Sequence, residues 1–552
     1  MIRQNNLRET LISLGFEEVE DNRYDRYFSP TNCHIIVDFA AESIIYPEQL
    51  KYERATTLNF SQTENFVVLD CVCRLLALGY KPEHLHLEAG VPGGHDDNKA
   101  GYADILISDN DNNAYMIIEC KTTEQTDNDE FALAWNKVKK TGGQLFNYFN
   151  TYRKARYLVL YAADYTEKGT VPFYHVITLL DNEEYLRSNK KLQSYASVRA
   201  ENGGHYEYFS VWKETYQQDY STNGVFEKNI APFQVGNKKL AITDLQEIDS
   251  VSMQKKYNEY ATILRKYNVS SKENAFDKLI NLFLAKIIDE KYNASELRCY
   301  WKGAAYDNYF DLHDRLHELY KTGMEEFFDD KITYVENREV EAAFRFLKSK
   351  TDVAKETILN YFRELKYFNN NPFAILDVHN EELFNQNSVI LKEVVRMVQD
   401  IKLGSDKQNQ FLGDLFEGFL DQGIKQSEGQ FFTPIPIVRF LISALPLEQL
   451  INEENQIPKV IDYACGAGHF LTEYASQIRT YVEKTGDTDI HTYYENIIGI
   501  EKEYRLSKVA QVSAYMYGQD GIQIRYNDAL SQDISDVKNG TYSILIANPP
   551  YS

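Results

Sequence analysis

Apolar and polar positions change rhythm twice along this chain. From Phe66 to Leu76 apolar residues crowd behind Ser61-Gln62-Thr63-Glu64. The stretch predicts a helix, opened by Ser61 and Glu64 at capping-box spacing and closed at Gly79. Two strand patterns follow, residues 101–107 and 114–121, separated by the turn-forming run Asp109-Asn110-Asp111-Asn112-Asn113, which predicts a β-hairpin. Strand-like segments at 155–161 and 172–177 extend the same sheet. Residues 190–252 are rich in Tyr, Asn, Gly and Ser, with strand-like pieces such as 206–212, and read as the edge of that sheet or as a connector.

Beyond Ser252 the period becomes helical. Ser270 and Glu273, again at capping-box spacing, open a helix in which Phe276, Leu279, Ile280, Phe283, Leu284, Ile287 and Ile288 recur every three or four residues. Helices are predicted at 305–329, 338–366, 383–400 and 407–423, the last with Phe411, Leu412, Leu415, Phe416, Phe419 and Leu420 on one face. After a helix carrying Ile437, Val438, Phe440, Leu441 and Ile442, apolar strand runs near 460, 497–501, 522–528 and 542–547 predict a buried parallel sheet. The pattern is that of an α/β multidomain chain: an α/β domain at 1–190, a connector at 191–252, an α-helical domain at 253–428 and a second α/β domain at 429–552.

Composition narrows the chemistry. With 82 acidic and 59 basic residues the formal charge is -23, which excludes general electrostatic attraction to a polyanion; nucleic acid would have to be met by local basic patches. Six cysteines are scattered without a CxxC pair, so neither a zinc site nor a disulfide framework is expected. No apolar run approaches membrane-spanning length and no signal peptide opens the chain, so a cytoplasmic protein without a membrane partner is expected.

The hairpin carries the first constellation. Asp104 on one strand can meet Glu119 and Lys121, which share a face of the other because they are two residues apart. Glu-x-Lys on a strand is usually a solvated face, but this one ends an apolar strand, where charges need a reason. Hydrolysis of a phosphodiester needs hard oxygen ligands for Mg2+ and positive charge near the phosphate. Asp104 and Glu119 would hold the metal, Lys121 would orient the attacking water, and Glu64 on the preceding helix could add a carboxylate. Gln144 and Tyr148 lie at i, i+4, on one helix face. Together Glu64, Ala103-Asp104-Ile105, Glu119-x-Lys121 and Gln144-x-x-x-Tyr148 resemble the PD-(D/E)xK nuclease fold, specifically the amino-terminal nuclease domain of type I restriction enzymes. In that family the Gln and Tyr lie beside the active site and contact DNA. The first acidic motif departs from Pro-Asp, reading Ala103-Asp104.

The second constellation lies at the strand tips after residue 429. Val460-Ile461-Asp462 runs into a turn with Gly466 and Gly468, which let the backbone approach a ligand closely. The next strand ends on Glu501, placed as a ribose-hydroxyl acceptor would be, and the third on Asp528. The fourth stops on Asn548-Pro549-Pro550-Tyr551. The Asn548 oxygen and the Pro549 carbonyl can accept hydrogen bonds from an exocyclic amino group, and Tyr551 offers a stacking face, although Asn-Pro-Pro also occurs in ordinary turns.

These tips resemble the adenine-N6 DNA methyltransferases, most closely the modification subunit of type I systems, and imply a Rossmann-like domain that uses S-adenosyl-L-methionine. Phe431-Phe432-Thr433-Pro434 is similar to the family's cofactor-side motif, Asp462-x-Ala464-Cys465-Gly466-x-Gly468 to its motif I, and Asn548-Pro549-Pro550-Tyr551 to its catalytic motif IV. The resemblance places Thr433 and Gly466 near the methionine end of the cofactor, Glu501 on the ribose and Asp528 on the adenine. Tyr463 and Ala467 depart from the Pro and Thr common there.

The expected function is a restriction-modification enzyme with endonuclease and adenine methyltransferase modules, acting on double-stranded DNA. The alternatives are a methyltransferase with a non-cleaving amino-terminal domain, or a cofactor- and DNA-sensing scaffold. No phosphate-binding loop of the ATPase type occurs. A family sheet of seven strands against four read here leads to the expectation that the methyltransferase part is incomplete. A separate specificity subunit, or a target-recognition domain not present in these residues, would then be needed for sequence-specific transfer.

Overall fold

The computed structural model describes all residues except 92–100, 125–128, 189–190, 218–219, 228–229, 237–239, 248–249, 336–338, 340–341, 343–350, 370, 405–432, 455, 486–489, 532–539 and 550–552. The predicted helix at 407–423 and most of Gly429 to Pro434 fall outside the described residues, as do Pro550 and Tyr551. The chain forms two units, one of Met1–Lys238 with Lys302–Asn308, the other of Lys239–Trp301 with Tyr309–Ser552.

The first unit opens with a short helix, α1 (Leu7–Ser13), and a four-stranded antiparallel sheet: β1 (Glu17–Glu20), β2 (Arg23–Phe28), β3 (Cys33–Asp38) and β4 (Ser43–Ile45). Asn22 and Asn32 take the left-handed conformation that its tight turns require, which asparagine tolerates better than most residues. A second sheet runs in the order β10-β9-β8-β7-β6-β5, from β5 (Lys51–Tyr52), β6 (Leu85–Val91), β7 (Gly101–Ser108), β8 (Ala114–Cys120), β9 (Tyr157–Thr166) and β10 (Gly169–Thr178). The hairpin β7–β8 has the register Ile105↔Ile118 and Ile107↔Met116. Its turn is built by Asp109, whose carboxylate accepts the N–H groups of Asp111 (3.0 Å) and Asn113 (2.8 Å). β9 joins β8 in parallel.

Helix α2 (Glu64–Leu78) shares one core with alternate residues of the hairpin, among them Ile105, Ile107, Ile118 and Cys120. Burying each aliphatic side chain of this kind contributes about 1.5–3 kcal/mol relative to exposure. Gly79, at φ 97°, ends the helix as expected. The Ser61–Glu64 capping box does not form. The helix starts at Glu64 with Thr63 as N-cap and no side-chain cap, the Asn59 side chain takes the Ser61 N–H (2.9 Å), and the Glu64 carboxylate is turned to Lys121 instead. The predicted strand at 206–212 is also corrected: His205–Val211 is a helix, because Glu207 accepts the Gly204 N–H (2.8 Å) and Tyr208 and Val211 bury at three-residue spacing. Helices α3 (Glu130–Thr141) and α4 (Gly143–Phe149) complete the part of the unit around the hairpin.

The second unit begins with helices Ser250–Lys266, Lys272–Tyr292, Tyr309–Phe328, Thr351–Glu364 and Glu381–Val398. The seven apolar residues predicted as the stripe of Lys272–Tyr292 are all buried. Its cap is Ser271, one residue later than Ser270, with its hydroxyl on the Asn274 N–H (3.2 Å). A four-stranded parallel sheet follows in the order β13-β12-β11-β14, from β11 (Val460–Asp462), β12 (Ile497–Glu501), β13 (Gln523–Tyr526) and β14 (Ile544–Leu545). β14 was expected to be a buried strand, yet Leu545 is 67% exposed; it lies on the outermost strand of the described sheet, and only Ile544 reaches the core. The strand order reverses at β11, which has β12 on one side and β14 on the other, and such a switch opens a crevice at the strand tips.

Candidate active sites

In the first unit the strand ladder gives way at the charged residues. The pairing of β7 with β8 reaches Ile105↔Ile118; beyond it the Cys120 N–H donates to the Asp104 carboxylate (2.7 Å) rather than to a backbone oxygen. Asp104 and Glu119 fall on the face away from α2, since their neighbours Ile105, Ile118 and Cys120 take the α2 face and strand residues alternate. Lys121 reaches Glu119 (2.8 Å), Glu64 (2.6 Å) and the Cys120 carbonyl (2.8 Å). Diverting Glu64 from its helix end is thus what brings α2 into this cluster.

The charges do not cancel. Three carboxylates against one ammonium leave a surplus of two negative charges when all are ionised. Burial, then the neighbouring Glu119, pushes the Asp104 carboxyl well above its ordinary range, and burial raises Glu119 against the pull of Lys121. Burial pulls the Lys121 ammonium down, but Glu119, Asp104 and Glu64 outweigh it and hold it charged. The Oε2 of Glu119 is buried with no hydrogen-bonding partner. A surplus of two charges and an orphaned carboxylate oxygen are what a divalent cation would answer, with Asp104 and Glu119 as its ligands; no three His, Cys, Asp or Glu side chains among the described residues are grouped closely enough to hold one by themselves. Gln144 and Tyr148 share a face of α4, with Gln144 Nε2 donating to the Tyr148 hydroxyl (3.3 Å); burial and the charges of Glu119 and Asp104 raise the phenol.

In the second unit the tips of β11, β12 and β14 converge. The β11 turn has Gly466 at φ 54° with nothing within 4 Å of where a Cβ would stand, and Gly468 at φ 81° packed on Ala510. Glu501, at the tip of β12, accepts the Gly466 N–H (2.9 Å) and the Glu503 N–H (2.7 Å), so it ties two strand tips together. Asp462 accepts the Ala464 N–H (3.0 Å), while its Oδ2 is buried without a partner. Burial, with a contribution from Glu501, pushes its carboxyl up to about 7. Cys465 is buried in the same turn. Asn548 donates through Nδ2 to the Thr433 hydroxyl (3.0 Å), joining the segment at Thr433 to the fourth tip, with Pro434 next in the chain and Pro549 exposed. Asp528 lies beside the β12 tip, where the preceding Asn527 donates to the Glu501 carbonyl (3.0 Å), but its carboxylate is paired with Lys502 (2.7 Å) and caps Leu530 (3.0 Å), and these contacts hold it below the usual range. Phe432, Pro550 and Tyr551 are outside the described residues.

Three residues of this site have no reading in the sequence. His469, first residue of the helix His469–Thr485, hydrogen-bonds the Thr433 carbonyl, and burial lowers its basicity. Lys502 competes for Asp528. At Gly499 a Cβ would stand 2.6 Å from Leu471 and 2.9 Å from the Cys465 sulfur, so β12 can lie under the turn only without a side chain. For His469 a signal was available: an imidazole directly after Gly468 at a helix start.

Comparison with known proteins adds two segments. Residues 407–552 match the N-6 DNA Methylase family, and residues 64–161 match the family described as Type I restriction enzyme R protein N terminus (HSDR_N). The chain is 24% identical over 180 residues to the type I restriction enzyme EcoEI methylase subunit of Escherichia coli, covering 32% of this chain and 34% of that protein. It is 26% identical over 170 residues to the MjaVII methylase subunit of Methanocaldococcus jannaschii, covering 30% of this chain and 26% of that one. A crystal structure of a modification subunit of a putative type I restriction enzyme from Vibrio vulnificus YJ016 aligns with 17% identity and a TM-score of 0.31, over 56% of this chain and 62% of that. The chain thus spans about a third and about a quarter of the length of the two curated relatives. No single helix among the described residues is long and apolar enough to cross a membrane. From residue 407 onward the chain is thus similar to the N-6 DNA Methylase family, and residues 64–161 ahead of it are similar to the amino terminus of type I restriction enzyme R proteins.

Proposed function

We propose that the chain belongs to a restriction-modification enzyme that joins Mg2+-dependent DNA cleavage in its first unit to S-adenosyl-L-methionine-dependent adenine-N6 methylation in its second. The methyltransferase reading is carried by the bond from Asn548 to Thr433. It holds the amide of Asn548 by its nitrogen at the strand tip, an orientation in which the amide oxygen would serve as the acceptor that an adenine amino group requires. The Pro549 carbonyl is a second acceptor at the same tip. Two acceptors fix the amino hydrogens, orient the nitrogen lone pair and favour a base flipped out of the duplex, which offsets an unstacking cost of roughly a few kcal/mol. Gly466, Gly468, Thr433 and Glu501 would hold S-adenosyl-L-methionine, whose sulfonium supplies the methyl group; the orphaned Asp462 Oδ2 and the open space at Gly466 fit a polar ligand there. With Asp528 engaged by Lys502, its role on the cofactor adenine requires that ion pair to loosen.

Cleavage rests on the surplus charge around Lys121. Asp104 and Glu119 would hold Mg2+, which lowers the pKa of bound water. Lys121, ion-paired to Glu119 and Glu64, would orient the attacking water. Double-stranded DNA is the partner, with a specificity subunit or further target-reading domain supplying sequence choice. The close ion pairs of Lys121 with Glu64 and Glu119 favour a second reading, a DNA-binding first unit that does not cut. Incubation of unmodified DNA with Mg2+ decides between them: cleavage lost in Asp104→Ala and Lys121→Ala supports the first, whereas cofactor binding and labelled methyl transfer without cleavage support the second.

A further inference from the structure

Arg54 follows β5, and its guanidinium lies 3.5 Å above the centre of the Tyr102 ring. Tyr102 is on β7, two residues before Asp104, so both side chains belong to the same face of the strand. Its partner across the ladder is Gly90 on β6. The absence of a side chain at Gly90 leaves room for Glu53, which fills that place and lies 3.6 Å from His86, while Tyr102 packs at its edge. Tyr152, just beyond α4, donates to the Gly90 carbonyl (2.8 Å) and fixes the strand from the other side. Glu53 is thereby drawn away from its neighbour. Arg54 is exposed, and among the described residues no carboxylate pairs with it.

We propose that Arg54, laid flat on Tyr102, is a phosphate-binding residue that grips the DNA backbone beside Asp104 and Glu119. The proposal rests on the nuclease reading of the first unit and adds a ligand contact to it. A guanidinium stacked on an aromatic ring keeps its fork of N–H donors in the plane that a phosphate meets, with little rotamer freedom left to lose. In a chain of net charge -23 this cation has no carboxylate partner among the described residues, and beside two metal-binding candidates it would answer the charge of an incoming backbone. Tyr102 acts as a positioning residue, through Arg54.

The test measures binding of the full chain to a labelled duplex by fluorescence anisotropy, with Ca2+ replacing Mg2+, across a salt series, and cleavage in Mg2+ in parallel. Arg54→Ala should weaken binding about tenfold, lower the salt slope by about one unit and raise KM with kcat unchanged, as loss of one phosphate contact requires. Arg54→Lys should fall between, Tyr102→Phe should match the parent, and Tyr102→Ala should resemble Arg54→Ala. Arg8→Ala, which removes an equal charge stacked on Phe39, is the control and should have no comparable effect. Equal affinity and equal salt slope for Arg54→Ala and the parent overturn the proposal while leaving cleavage intact as a reading. A parent that binds but does not cut, with the Arg54→Ala loss preserved, supports the contact and overturns the nuclease; a parent that neither binds nor cuts overturns both.

Discussion

Lys121 answers three carboxylates, and removing it should expose how far they depend on it. Lys121→Ala leaves Glu119, Asp104 and Glu64 facing one another, and truncating one partner of a buried ion pair costs about 3–5 kcal/mol. The first unit should melt lower and recover part of the loss in Mg2+, which replaces the missing positive charge. Thermal unfolding with and without the metal checks this, and no recovery would count against Asp104 and Glu119 as ligands. Asp462 gives a pH signature of opposite origin. Its carboxyl is raised to about 7 in the folded chain, mainly by burial, so the stability it contributes is full below about pH 4 and is lost as pH rises through 7. Asp462→Asn keeps the shape without the charge. The variant should match the parent near pH 4 and exceed it near pH 8 by on the order of 4 kcal/mol, about three pKa units at 1.36 kcal/mol each. A difference in melting temperature that stays constant with pH would refute it.

At the scale of elements, packing constraints can be read directly. Gly499→Ala would drive a methyl group into Leu471 and Cys465 and should destabilise the second unit by about 1–3 kcal/mol, the usual range for overpacking, as judged by denaturant unfolding. Helix Lys272–Tyr292 holds a buried ion pair, Lys286 with Glu290 (3.2 Å), and Glu290 also accepts the N–H groups of Leu403 (2.9 Å) and Gly404 (2.9 Å). Glu290→Ala should therefore cost more than Gly499→Ala, because it leaves a buried ammonium and two backbone donors unanswered. These elements also show what the sequence makes legible. The hairpin at 101–120 could be read because its turn residues and its apolar strands agree, and the parallel strands because each ends on a polar residue. The helix at 205–211 could not, since its aromatic residues favour a strand and the deciding Glu207 to Gly204 bond is set by local geometry. Strands β1–β4 left little trace because β1 is exposed throughout and carries three glutamates. Glu64 was legible as a site candidate, but not the reason its capping box fails: a bond to a residue 57 positions away replaces a local one.

For the whole molecule, each ligand should stabilise the unit that contains its residues. Ligand linkage raises stability by RT ln(1 + [L]/Kd), about 2.7 kcal/mol at a hundredfold excess over Kd. Calorimetry of the full chain should show Mg2+ moving one unfolding transition and S-adenosyl-L-methionine another; both ligands shifting the same transition equally would argue against separate sites. The course of the chain has one more consequence. Residues 302–308 return to the first unit, where Asn182 donates to the carbonyls of Ala304 (2.9 Å) and Asp307 (3.2 Å) and Asn308 donates to Glu184 (2.7 Å). During synthesis, at about 5–20 residues per second, a nascent chain that has reached residue 238 must wait several seconds for these partners to leave the ribosome. The first unit therefore gains this last segment of its own fold only after the helices Ser250–Lys266 and Lys272–Tyr292 of the second unit have been made.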